Sequence, residues 1–317
     1  MNARRLLARR RFLILSSWIP VTAAAAQTDV LSLDDLIQSG KRLADEHLDP
    51  RAVKALEQGV DPAQANRLLR DLQKRFQGEY VVDVARVRGT AQALLPVLEN
   101  LPATRPYAAW LRPRMDYFNV ADQLEVQVPP PQPGKPPTPK SNPSAEQERR
   151  AWTVEVAGTP DPKGAAPWVP KLKPLFRSQR VPQELVWVAE VESSFDPQAL
   201  SPAGAAGLYQ LMPGTAQTLG LKLTPQDERL SGEKNARAAA GYLRTLYQKF
   251  RDWRLALASY NAGPGRVGDL LKQRGARTFD QITPYLPAET QMYVPRIEAV
   301  IQRREGKALV RLPAAGL

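Results

Sequence analysis

Eight of the fifteen residues from Pro129 to Pro143 are proline, and this run constrains the fold more than any other feature of the chain. Proline lacks a backbone N–H and holds φ near about −65°, so the run can sustain neither a helix nor a sheet ladder. It favours polyproline II, which at about 3.1 Å per residue reaches on the order of 45 Å when extended. An SH3-type ligand is the alternative, and a spacer is the preferred reading for an exported chain. A length of 317 residues suits about two domains. The chain therefore divides into residues 27–128, a linker over 129–149, and a second domain over 150–317. Proline recurs at Pro160, Pro162, Pro167 and Pro170, and a short strand is expected between, at Trp152–Val156.

The residue inventory narrows the chemistry. There are no cysteines and a single histidine, His47. Disulfides, thiolate zinc sites and cysteine nucleophiles are excluded, and any Ser-His-acid triad would depend on one imidazole. His47 lies between Glu46 and Leu48 without a serine or carboxylate motif, and reads as a surface histidine. No metal or cofactor is expected. Carboxylates, hydroxyls, amides and amines are left to carry the reaction.

Residues 1–26 have the layout of a signal peptide: Arg4, Arg5, Arg9, Arg10 and Arg11 precede an apolar run from Phe12 to Ala26, with Ala24 and Ala26 in A-x-A spacing before Gln27. At about 15 residues, interrupted by Pro20, the run is too short for a membrane span. Export to the periplasm is expected, by a Sec or twin-arginine route, with no lipid anchor because no cysteine follows. Losing the five arginines takes the formal charge from +12 to +7, still basic enough for attraction to an acidic polymer. Nucleic acid is not expected as a partner.

Residues 30 to about 125 have helical texture. Asp61-Pro62 pairs an N-cap with an N1 proline, and Leu68, Leu69, Leu72 and Phe76 follow at helical spacing. Val81, Ala85, Ala91, Leu94, Leu95 and Leu98 repeat the pattern, without clustered catalytic residue types.

The second domain is richer. After Pro182, residues Leu185, Val188, Ala189 and Glu192 fall at i, i+3, i+4 and i+7, so Glu192 shares an apolar helix face, and Glu190, about 200° away, is expected to face solvent. Pro197 ends the helix soon afterwards. A core-facing carboxylate at a helix C-terminus is desolvated and meets the negative end of the dipole, and both effects raise its pKa. Glu192 is thus a candidate general acid, although periodicity alone also fits an ion pair at a domain edge.

The run from Glu192 to Ala216 favours the acid. It matches E-S-x-F-x-P-x-A-x-S-x-x-G-A-x-G-L-x-Q-[hydrophobic]-M-P-x-T-A at every fixed position, and so resembles the signature of the soluble lytic transglycosylase (SLT) domain. Ser259–Val267 is similar to the A-Y-N-A-G-P-G-x-V block of that family, and Glu289–Val294 to its E-T-x-x-Y-V block. Asp227-Glu228-Arg229, with Asp252-Trp253 before Leu255, resembles the membrane-bound murein transglycosylase D branch. Ser259, Tyr209 and Met292 depart from the usual residues without removing a group the chemistry needs. The resemblance covers roughly residues 170–305, and no LysM-like repeat follows it.

The resemblance implies a mainly α fold, with a goose-lysozyme-like helical catalytic domain preceded here by a helical N-terminal domain. It also implies cleavage of the β-1,4 bond between N-acetylmuramic acid and N-acetylglucosamine, with peptidoglycan glycan strands as the partner. Cell-wall or divisome proteins are the further partners expected of the N-terminal domain. One carboxylic acid suffices where the sugar supplies its own nucleophile: Glu192 protonates the leaving oxygen, then accepts the C6 hydroxyl proton as that oxygen closes on C1 to give a 1,6-anhydro end. The substrate's N-acetyl group can assist. By position in the motifs, Ser201, Gln210, Met212, Tyr260, Asn261, Glu289 and Tyr293 are implied to bind substrate, with the Tyr293 hydroxyl near Glu192. Bland roles compete for several: Ser201 could cap a turn, Met212 could be core, and Asn261 could close a helix. A hydrolytic muramidase using Glu192 with Glu289, and a non-catalytic wall-binding scaffold, remain the alternatives. Pro295 is expected to kink or restart the last helix.

Overall fold

A computed structural model of the chain describes residues 62–100, 102–125 and 141–316, with side chains from residue 67 onward. Residues 1–26, read from the sequence as a signal peptide, His47, Asp61 and the prolines from Pro129 to Pro139 lie outside the described residues. The first part contains α1 (Pro62–Phe76), α2 (Val82–Ala85), α3 (Arg88–Asn100), α4 (Arg105–Leu111) and, after a 3-10 turn at Arg112–Arg114, α5 (Met115–Glu125). The second contains α6 (Ala145–Ala157), α7 (Ala165–Ser178), a 3-10 turn at Gln183–Trp187, α8 (Val188–Ser193) and α9 (Pro213–Thr218). It continues with α10 (Gly232–Phe250), α11 (Trp253–Ala262), α12 (Pro264–Arg274), α13 (Phe279–Ile282) and α14 (Ala288–Glu305). The described residues are mainly helical and form no strand beyond isolated bridges at Leu200, Ala206 and Leu211.

The strand expected at Trp152–Val156 is instead part of α6. Ser144 and Gln147 form a capping box, which satisfies backbone donors that a helix start leaves open. Ala145, Glu148, Ala151, Trp152 and Val156 are buried at helical spacing, whereas Val154 faces solvent. The alternation of Trp152, Val154 and Val156 was the weaker of two periodicities. Because α6 begins at Ala145, the last residues assigned to the linker are already helix.

Pro295 does not break α14, which runs unbroken from Ala288 to Glu305. Almost all of the helix from Ala288 to Ile301 is buried, and packing on several sides holds the turn in which proline removes a backbone donor.

Residues on both sides of the proline-rich stretch bury their apolar side chains in one core, from Leu69 to Ala315. Phe76 meets Tyr117 edge-on at 5.7 Å between centroids, and Tyr117 meets Trp152 edge-on at 5.0 Å. Burying each such ring contributes about 1.5–3 kcal/mol. The Arg296 guanidinium of α14 lies 5.0 Å from the Tyr117 ring and 5.2 Å from the Trp152 ring, and donates to Asp116 of α5 at 2.7 Å. Gln291 donates to the Glu79 carbonyl at 2.9 Å, and the Ala288 N–H to that of Gly78 at 2.7 Å. Asn142 ties the same corner, donating to the carbonyls of Glu79 and Pro284 and accepting from the Val81 N–H. The boundary expected near residue 150 therefore does not separate two cores.

Candidate active site

The short helix α8 places Glu192 in its last turn. Ser194 (φ 52°) and Phe195 (φ 62°) follow in left-handed conformation, which turns the chain sharply away. Gly164 makes room for this corner: a Cβ there would lie 2.8 Å from Phe195 Cβ and from the Ser194 carbonyl. All six residues of α8 are buried, so Glu190 does not face solvent as its helical angle suggested. It is 5% exposed and accepts two hydrogen bonds from Arg304, at 2.8 and 3.1 Å. In a helix this short, with protein packed around it, the angle of Glu190 does not carry it to solvent.

The loop from Ala199 to Met212 forms the facing wall. Antiparallel bridges Leu200–Ala206 and Ala206–Leu211 fold it back twice. Gly207 adopts φ +84°, and a Cβ there would fall 2.0 Å from the Arg229 carbonyl. Arg229, held by Asp227, donates to the carbonyls of Gly204 (2.6 Å) and Leu211 (2.9 Å). Asn235 donates to the Ala206 carbonyl at 3.1 Å and accepts from the Tyr209 N–H at 2.9 Å. Arg229 and Asn235 thus shape the loop without entering the cleft.

A cleft of about 570 Å³ lies between these walls, lined by Glu192, Ser201, Gln210, Met212, Tyr260, Asn261 and Glu289. Ser201 Oγ accepts from the Ala205 N–H at 2.9 Å, so it caps the turn and lines the cleft at once. Gln210 (φ 47°) donates its amide to the carbonyls of Ala199 and Gly207, both at 3.0 Å, which leaves Oε1 buried without a partner among the described residues. Of the two capacities expected of this amide, only the acceptor is left for a ligand. Met212 is 43% exposed at the cleft and is not core. Tyr260 donates to the Tyr209 carbonyl at 2.7 Å, and Asn261 Oδ1 accepts from Thr290 at 2.5 Å. Tyr293 lies behind the lining and donates to Glu192 Oε1 at 2.7 Å.

Burial pushes the Glu192 carboxyl up from the ordinary 4.5 to about 7; the nearby Arg114 cation and the Tyr293 hydrogen bond pull it down, and the Glu289 charge pushes it up. A carboxyl of that affinity still carries a proton near neutrality, which suits a general acid.

The remaining wall was not anticipated. Arg70, Gln73 and Lys74 of α1, Gln77 in the turn after it, Trp110 and Arg114 line the same cleft. Arg114 is an ion-pair partner of both carboxylates, at 3.2 Å from Glu289 Oε1 and 3.8 Å from Glu192 Oε2. Gln77 donates to Glu289 Oε2 at 3.2 Å. A signal for Arg114 was available: it falls on the face of Trp110, Tyr117, Phe118 and Ala121, where a lone cation among buried apolar positions demands a partner.

Residues 173–283 match the family model of the Transglycosylase SLT domain. The chain is 37% identical over 155 residues to the membrane-bound lytic murein transglycosylase D of Escherichia coli K12, covering 47% of this chain and 34% of that protein. It is 38% identical over 122 residues to the soluble lytic murein transglycosylase of Salmonella typhimurium, covering 35% and 19%. The match thus spans about a third or less of these relatives' length. An inactive mutant of the lytic transglycosylase Slt from Pseudomonas aeruginosa aligns at TM-score 0.43 and 18% identity, over 89% of this chain and 52% of that one. Glu192, the 199–212 loop, Tyr260 and Asn261 lie within the matched SLT domain, whereas Arg114, the α1 wall, Glu289 and Tyr293 lie outside it.

Proposed function

We propose that this protein is a peptidoglycan lytic transglycosylase that cleaves the β-1,4 bond between N-acetylmuramic acid and N-acetylglucosamine and leaves 1,6-anhydro-muramoyl ends. The observation that carries the reading is the buried Glu192 carboxyl at the cleft, whose proton affinity is lifted to about 7 and whose Oε1 is held by Tyr293. Glu192 gives its proton to the glycosidic oxygen as the C1–O bond breaks. The resulting carboxylate takes the proton of the muramoyl C6 hydroxyl as O6 bonds to C1. No water and no second carboxylate enter the balance.

Ser201, Gln210, Met212, Tyr260 and Asn261 are the proposed substrate contacts, with Gln210 Oε1 an acceptor for a sugar N–H or hydroxyl and Met212 an apolar rest for a ring face. A hydrolytic muramidase is the second reading, with Glu289 as the base. Both Glu289 oxygens are engaged, Oε1 by Arg114 and Oε2 by Gln77, which disfavours that role. The goose-lysozyme-like fold of the catalytic part, export to the periplasm and contact with cell-wall proteins belong to the same proposal.

Mass spectrometry of digested peptidoglycan tests it. Muropeptides about 18 mass units lighter than their hydrolytic counterparts are expected, since the closing C6 oxygen replaces water. Reducing ends would assign the hydrolase, and no release would assign a scaffold.

A further inference from the structure

We propose that Arg114, from the 3-10 turn before α5 and outside the matched SLT domain, is a positioning residue: it spaces the Glu192 and Glu289 carboxylates on one guanidinium and governs how readily Glu192 gives up its proton. The assignment rests on Glu192 being the acid.

Arg114 is only 6% exposed. A cation removed from water is costly unless it is paired and hydrogen-bonded, and Arg114 is held from several directions. Nη1 donates to the Trp110 carbonyl at 3.0 Å and to the backbone carbonyl of Glu192 itself at 3.3 Å. Nη2 donates to Glu289 Oε1 at 3.2 Å and stands 3.8 Å from Glu192 Oε2. The guanidinium carbon lies 4.6 Å from the Trp110 ring centroid. A planar fork clamped in this way fixes the α8 backbone at Glu192 and the Glu289 side chain relative to each other, which a flexible ammonium would not do.

The groups acting on Glu192 come from four elements: Arg114 from the turn, Glu289, Tyr293 and Arg296 from α14, Tyr260 from α11 and Tyr117 from α5. Tyr117 and Tyr293 are buried and Tyr260 half-buried, and burial holds all three as neutral phenols, so the charges that matter are Arg114, Arg296 and Glu289. Arg296 is committed to Asp116 and to the Pro113 carbonyl. Arg114 is therefore the cation that meets the Glu192 carboxylate after it has donated its proton, and Glu289 is the anion that opposes ionisation. Their removal should act in opposite directions.

The test uses the full chain and a soluble peptidoglycan fragment, with kcat and KM followed against pH. Arg114→Gln should move the high-pH fall of kcat upward by about one pH unit, the low end of what an opposite charge at this range does. Its kcat below that limb should fall about tenfold with little change in KM, because an acid of higher pKa is a weaker donor. Glu289→Gln should move the limb downward. Arg114→Lys should return the limb towards its wild-type position with kcat still reduced. An unmoved limb with raised KM for Arg114→Gln, limbs that shift in the same direction in Arg114→Gln and Glu289→Gln, or no rescue by lysine would each overturn the assignment.

A second readout needs no turnover. The stability of each variant minus that of the same variant carrying Glu192→Gln, followed against pH, reports the proton affinity of Glu192. The same opposite shifts are expected there, and equal curves would overturn the proposal. If Arg114→Gln does not fold, Arg114→Lys and Glu289→Gln still decide it. Hydrolytic products would remove the lytic reading and leave this titration standing.

Discussion

The helices before the proline-rich stretch and the segment after it that matches the SLT model line one cleft, yet they present themselves to a reader of sequence in opposite ways. The segment that matches the SLT model declares itself through motifs, because α8 carries Glu192 at its end while the facing loop folds back at Gly207 and carries Ser201 and Gln210 at set positions. Residues 67–125 read as helices with apolar stripes, yet they contribute Arg114, Trp110 and the α1 side chains to the same site. The family signature thus marks the residues proposed to touch a substrate and passes over those that hold them in place.

Removing the first region should have the largest effect. A fragment starting at residue 141 leaves Trp152, Arg296 and one side of α14 without cover and deletes Arg114. It is expected to be insoluble or loosely folded and to release no glycan, as judged by circular dichroism and muropeptide release. A soluble, active fragment would break the comparison and restore the modular reading that the proline-rich stretch suggests.

Next in size is Glu192→Gln, which should lower turnover by at least about 10²–10⁴-fold, the usual contribution of a positioned acid. Its stability should move the other way. With the folded-state pKa raised from 4.5 to about 7, the native state binds the proton more tightly than the unfolded chain. The contribution is fully present below about pH 4 and is lost as pH rises through 7. The variant should therefore match wild type near pH 4 and exceed it above pH 8, by on the order of 3 kcal/mol, in urea titrations at the two pH values.

Glu190→Gln sharpens the contrast within a single helix. Glu190 is buried, like Glu192, but its carboxylate is matched by Arg304, so it reads as structural. Breaking a buried pair costs about 3–5 kcal/mol, and the Asp161 and backbone partners of Arg304 should keep the loss towards the lower end. Thermal unfolding should show the loss, with kcat per folded molecule unchanged.

The smallest effect belongs to the rim. Arg70 and Lys74 are exposed, and Lys74 makes a surface contact to Asp71 at 3.4 Å. Replacing both by alanine should raise KM by less than about fivefold at low salt, with no difference at about 0.5 M salt. Equal KM values at low salt would show that α1 bounds the cleft without meeting the glycan.

Local chemistry wrote much of this protein into its sequence. Mainly helical structure follows from apolar residues at a period near 3.6, and a carboxylate on an apolar face must be desolvated wherever that face packs, which made Glu192 a candidate acid that the motif resemblance then favoured over an ion pair. The same local reasoning placed Glu190 in water, made a strand of Trp152–Val156 and broke α14 at Pro295. Each error comes from judging a segment by its own period when its neighbours decide which sides are wet. Only the tertiary structure brought Arg114 against Glu192 and Glu289, which are 78 and 175 residues away along the chain. Charges that far apart in sequence meet only when a shared core, here centred on Tyr117, Trp152 and Arg296, carries their helices together. No periodicity or motif records that meeting, because the packing that produces it belongs to neither segment alone.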